Sequence, residues 1–177
     1  MRNHHVFRPH PGLAVLCLLG VLALAVPAFA KPHTKSEREL RNQCGANVER
    51  LQQQARAGDA EARADLGWCY YKGVGVAKDM VQAVQLLRQA AEQGHAQGMA
   101  ALGDVYMNGL GGFPKDERRA VELYRQAAEQ GDANGQINLG YAYVKGLGGL
   151  PKDERRAAEL FRQAAEQGHA VGQANWA

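Results

Sequence analysis

The residues from Gly109 to Gly131, GLGGFPKDERRAVELYRQAAEQG, return almost unchanged 37 positions later as GLGGLPKDERRAAELFRQAAEQG, from Gly146 to Gly168. Of 23 positions only three differ: Phe113/Leu150, Val121/Ala158 and Tyr124/Phe161. A unit this short cannot bury a core alone. Stacked copies can, because each covers the face that its neighbour leaves open, and a fixed period therefore points to a solenoid before anything else is known.

Comparing this stretch with the rest of the chain predicts three full units, 59–94, 95–131 and 132–168, and a partial fourth, 169–177. Each reads as a first and a second helix. In the second, Ala120, Leu123, Tyr124, Ala127 and Ala128 fall at i, i+3, i+4, i+7 and i+8, one apolar stripe at helical period. Ala83, Leu86, Leu87, Ala90 and Ala91 repeat that stripe, as do Ala157, Leu160, Phe161, Ala164 and Ala165. Asp79, Asp116 and Asp153 stand where a side-chain acceptor caps the helix, and Gly94, Gly131 and Gly168 where the chain leaves it. The opposite face carries Arg118, Arg119, Glu122, Arg125 and Glu129, a solvated surface.

The first helices share Leu66-Gly67 with Tyr70, Leu102-Gly103 with Tyr106, and Leu139-Gly140 with Tyr143. A glycine inside a helix costs about 1 kcal/mol relative to alanine, so its threefold return predicts a neighbouring helix backbone in close contact. The spacing Ala-x(5)-Leu-Gly-x-x-Tyr-x-x-Gly, a glycine-rich loop, Lys-Asp, Ala-x-x-Leu and then Ala-Ala-Glu-Gln-Gly resembles the Sel1-like repeat, a relative of the tetratricopeptide repeat. A plain tetratricopeptide repeat has a period of about 34 and lacks the glycine-rich loop. The resemblance implies an all-α, right-handed superhelix of helix hairpins used as a scaffold for protein contacts.

Before the repeats, Arg2 and Arg8 precede 14 apolar residues, Leu13–Val26, then Pro27 and Ala28-Phe29-Ala30, the pattern of a cleaved signal segment over 1–30. The run is shorter than the roughly 20 residues a membrane span needs. Export to the periplasm is the expectation, with the extracellular space as the alternative. Residues 31–35 form a mobile start, and 36–58 a cap helix whose opening Ser36 and Glu39 have capping-box spacing. Cleavage removes two basic residues and leaves 19 against 18 acidic ones, with no run of five like charges, so nucleic acid is not an expected partner.

Cleavage also leaves two cysteines. A hairpin turning near Ala57-Gly58 sets residue 44 across from about residue 71, which brings Cys44 within a helical turn of Cys69. An oxidising compartment favours a disulfide there, stapling the cap helix to the first unit; the alternative is two buried thiols packed as small apolar groups. Cysteine-rich secreted Sel1-like proteins place a pair in every unit, and this chain does not.

Catalytic chemistry finds little support. Beyond residue 36 there is no serine or threonine, and His95 and His169 occupy the helix-start slot of Asp59 and Asp132 rather than a metal-ligand spacing. No cofactor or metal is expected, and no enzyme; the rival reading, a weak activity on cell-wall or β-lactam substrates, follows only from the cysteine-rich relatives. The slots that vary between units fall on one face of the first helices: Glu61, Asp65, Trp68 and Lys72; Gln97, Ala101, Asp104 and Asn108; Asn134, Asn138, Tyr141 and Lys145. Lined up on the concave side, they predict a groove for a protein or peptide partner, with Trp68 and Tyr141 as aromatic anchors, although Trp68 could equally pack under the cap helix. A monomer suffices for that. In the partial unit Trp176 takes the slot of Leu66, Leu102 and Leu139, which predicts a lid over the third unit. A secreted factor engaging a host protein would use the same groove.

Overall fold

The structure, a computed structural model, describes residues 37–169 and Gly172. Four sequence expectations lie outside these residues: the signal segment, the mobile start, the Ser36 cap and the Trp176 lid. All regular structure among the described residues is helical: α1 (Glu37–Arg56), α2 (Ala60–Lys72), α3 (Met80–Glu92), α4 (Ala96–Asn108), α5 (Glu117–Glu129), α6 (Ala133–Lys145), a 3-10 turn (Leu147–Gly149) and α7 (Glu154–Glu166).

Each helix starts on a side-chain acceptor where the repeat places one. Asp59, Asp132, Asp116 and Asp153 accept from the amide three residues on at 2.7–3.0 Å, and Asp79 accepts from both Val81 and Gln82. His95 does the same through Nδ1, accepting from Gly98 N at 3.2 Å, which accounts for a histidine in an aspartate slot. The loop returning from each first helix is fastened to the repeated tyrosine, whose carbonyl accepts from the amides of Asp79, Asp116 or Asp153. Arg119 and Arg156 lie over the rings of Tyr106 and Tyr143, with centroid distances of 4.7 and 5.5 Å. The rings themselves are buried.

Consecutive helices pack as antiparallel neighbours throughout, and the first helices also touch across units, α2 on α4 and α4 on α6. The second helices, α3, α5 and α7, make no such contact with one another. Tight spacing on one layer and wide spacing on the other bends the stack, with the first helices on the inside. The outer faces carry exposed helix-surface ion pairs, Arg88–Glu92, Arg125–Glu122 and Arg162–Glu166, each contributing about 0.2–0.5 kcal/mol.

Two details depart from the periodic reading. In α3 and α5 the buried stripe is shifted to one side: Val84 and Val121 are buried, whereas Leu86 and Leu123 are only half-buried. The loop of the next unit causes this. Gly148, at φ +61°, rests on α5 so closely that a Cβ there would fall 2.7 Å from Val121 Cγ2 and 2.7 Å from the Glu117 carbonyl oxygen, and Gly111 sits on Val84 in the same way. The second difference concerns the mid-helix glycines. A Cβ at Gly103 would lie 2.5 Å from Tyr124 Cε1, and one at Gly140 2.7 Å from Phe161 Cε1, so these glycines receive an aromatic ring rather than a backbone. Close backbone approach occurs instead between units: a Cβ at Gly135 would meet Ala127 Cβ at 2.6 Å and the Ala128 nitrogen at 2.9 Å.

A continuous core runs from Val84 to Ala164 through all three units, and a second cluster joins α1 to α2 around Leu51, Ala55, Ala62 and Leu66. Cys44 and Cys69 are bonded at the centre of that second cluster, with Cα atoms 5.7 Å apart. The cap helix is not straight. Asn47, two residues after Gly45, leaves helical geometry at φ −137°, ψ 25°, and the residues before this kink bring Leu40 inside.

Candidate functional site

The concave side holds a groove of about 930 Å³, lined mainly by α2, α4 and the start of α6. Helices form these walls because their Leu, Val and Tyr positions are drawn outward into the core, leaving the opposite side of each helix to face the bend. Of the residues singled out from the repeat columns, Trp68, Lys72, Gln97, Ala101, Asp104, Asn108, Asn134 and Asn138 line this groove together. Four do not. Asp65 is fully buried, Glu61 and Lys145 are exposed away from it, and Tyr141, 40% exposed, packs edge-on against Phe161 at 5.3 Å. The physical reason is position along the bend: the groove runs diagonally from the end of α2 to the start of α6, so the first two slots of the α2 column and the last two of the α6 column miss it.

Trp68 is half-buried, packed against the cluster that includes Cys44 and Cys69 and also lining the groove, where Glu39 and Leu40 of the cap helix close the end. Lys72 sits beside both Trp68 and Tyr71, 5.9 and 5.2 Å from the ring centroids. Glu39, Leu40, Tyr71, Gln167 and His169 line the groove without having been singled out from sequence. For Tyr71 a signal existed: its slot holds Met107 and Val144 in the later units, so it varies as the groove columns do. For the cap-helix residues none did, since the kink that brings them in is not periodic.

Polar side chains in the groove are linked across units. Asp104 Oδ1 accepts from the Tyr124 hydroxyl at 2.7 Å and from Asn138 Nδ2 at 2.9 Å, tying α4, α5 and α6 together. Gln167 Nε2 donates to Gln136 Oε1 at 2.9 Å, and His169 Nε2 lies 3.1 Å from Asn134 Oδ1. Although Asp104 keeps an exposed surface, the loss of water around its carboxyl within the concave face raises its pKa from 3.8 to about 6. The Tyr124 hydrogen bond pulls the other way, and the negative charge of Asp132 adds to the rise. Tyr124 is pushed above the ordinary tyrosine range, first by burial and then by Asp104.

A carboxyl whose folded pKa is raised binds its proton more tightly in the native state. The protein is therefore most favoured below the unfolded value of 3.8 and loses that contribution as pH rises through about 6. Asp104→Asn retains an oxygen to accept from Tyr124 and Asn138 and removes the charge. Thermal melts should show this variant more stable than wild type near neutral pH, with the difference closing below about pH 4. A variant that melts lower than wild type near neutral pH and matches it below about pH 4 would show that the ionised carboxylate stabilises the fold.

Among the described residues no group of three or more His, Cys, Asp or Glu side chains is placed to hold a metal ion. No described helix is long and apolar enough to cross a membrane.

A family model described as the Sel1 repeat matches residues 60–95, 96–132 and 133–169. Among solved structures, the chain is similar to a protective antigen present in uropathogenic Escherichia coli strains that displays an SLR fold, with 42% identity over 72% of this chain and 27% of that one, TM-score 0.63. It is also similar to a Sel1 repeat protein from Oxalobacter formigenes, with 34% identity, 73% of this chain and 96% of that one, TM-score 0.61. The fold alone extends to Helicobacter pylori cysteine rich protein B, 24% identical over 79% of this chain and 96% of that one, TM-score 0.56. The chain spans about a quarter of the length of the E. coli antigen. No curated protein matches it. With three matched repeats stacked into an α-solenoid, the chain belongs to the Sel1 repeat family.

Proposed function

We propose that this protein is an exported, non-catalytic scaffold that holds a protein or peptide partner in its concave groove. The observation carrying this reading is the groove itself: it is formed by the very helix faces that differ from unit to unit, while the second helices of units two and three are almost identical. Surface that is varied while the frame is repeated is surface free to be shaped for a ligand. An indole, a phenol and a lysine at one end, with side-chain amides along the floor, supply both contact area and hydrogen-bonding groups.

Export is supported by the apolar leader at 1–30 and by the Cys44–Cys69 bond, which suits an oxidising compartment. The similarity to a protective antigen fits the same reading. A periplasmic location follows if osmotic shock of the native host releases the protein; recovery from the medium would favour the extracellular alternative.

The groove is tested by capture. The chain should retain a protein from its native host that a Trp68→Ala/Lys72→Glu variant, shown by circular dichroism to be folded, does not. Equal retention by both would remove the groove as the site and turn attention to the outer faces of α3, α5 and α7.

A further inference from the structure

The groove floor between units two and three has a polarity set by its own hydrogen bonds. Asn134 and Asn138 stand one turn apart on α6, both half-buried, and each is held at one end. Asn134 Oδ1 can only accept, so His169 Nε2 donates to it, leaving the Asn134 amide NH2 for a ligand. Asn138 spends its NH2 on Asp104, leaving its carbonyl oxygen. A donor and an acceptor thus follow each other at about 6 Å along the helix, close to the roughly 6.8 Å that separates like-facing peptide groups two residues apart in an extended chain.

Beside them lies Asp104. Its Oδ1 serves two donors, and no ion pair among the described residues involves its carboxylate. The negative charge of Asp132, at the start of α6, acts on it as well. The other titratable groups that share the groove are Glu39 of α1, Tyr71 and Lys72 of α2 and His169; α3 contributes only the apolar Leu87. Tyr124 of α5 is a neutral donor to Asp104. The raised pKa of Asp104 means that the carboxylate is held at a cost to stability, which a cation seated in the groove would relieve.

We propose that this part of the groove takes an extended peptide segment bearing a lysine or arginine, whose cation lies against Asp104 while its backbone meets the Asn134 amide and the Asn138 carbonyl. The proposal rests on the scaffold reading above and names the chemistry of the partner. A negative floor opposes nucleic acid and acidic peptides, and a neutral segment would leave the carboxylate as it is.

Fluorescence anisotropy on the full chain, with labelled, end-blocked octapeptides alternating alanine with arginine or alanine with glutamine, decides it. At about pH 7.5 the arginine peptide should bind about tenfold more tightly than the glutamine peptide. That advantage should vanish in Asp104→Asn and shrink at about pH 5, where the carboxyl is protonated. Asn138→Ala should weaken both peptides by a similar factor. Equal binding of the two peptides, an arginine preference that survives Asp104→Asn, or binding of neither overturns the proposal. If the Trp68→Ala/Lys72→Glu variant still loses its captured partner in that event, the cation alone was wrongly assigned; if capture is indifferent to the groove, the scaffold site fails with it.

Discussion

Replacing Phe161 by alanine should lower the free energy of unfolding by about 3–5 kcal/mol. The ring is 5% exposed, lies over Gly140 on one side and receives the edge of Tyr141 on the other. It fills the space between the two helices of unit three. Urea unfolding followed by circular dichroism gives the loss directly. The cause is tested by a second substitution. Gly140→Ala adds a methyl group that would sit 2.7 Å from Phe161 Cε1, so alone it should be destabilising. In the Phe161→Ala background the same methyl enters vacated space. The double variant should then be at least about 1 kcal/mol more stable than the sum of the single effects predicts. Additive losses would mean that the glycine is there for another reason than to receive the ring.

The second large effect concerns the disulfide. Cys44→Ala/Cys69→Ala should cost about 2–4 kcal/mol, since the bond closes a loop of 25 residues that the unfolded chain must otherwise order. The loss should also be local. In a stack of units each contacts mainly its neighbours, so α1 and the Trp68 end of the groove should lose amide protection from hydrogen exchange while α6 and α7 keep theirs. Both cysteines are fully buried, and the paired substitution leaves no lone thiol. Undiminished protection in α1 would show that Leu40, Leu51 and Ala55 hold the cap helix without the bond.

The bond and the ring illustrate how much of this molecule can be read in one dimension. Helix starts were legible wherever an aspartate repeats, because an N-cap depends on residues no more than three apart. The cysteine pair was legible because a hairpin maps positions on one helix to positions on the next once its turn is located. Val84 and Val121 were not, since what covers them is a loop from the following unit, and helical period says nothing about that partner. Nor was the burial of Asp65, although it lies on the face that the repeat columns define.

What the sequence determined by itself is the local and repeated part: helices, caps, the order of units and membership in a stacked architecture, all of which follow from patterns shorter than one period. Only the tertiary structure decided which of the varied residues share a groove, how the cap helix closes its end, and that Asp104 sits between Tyr124 and Asn138 from two other helices. The reason is geometric. The bend of the stack arises from unequal spacing of the inner and outer layers, and its direction across the units selects a diagonal of side chains that no single repeat contains.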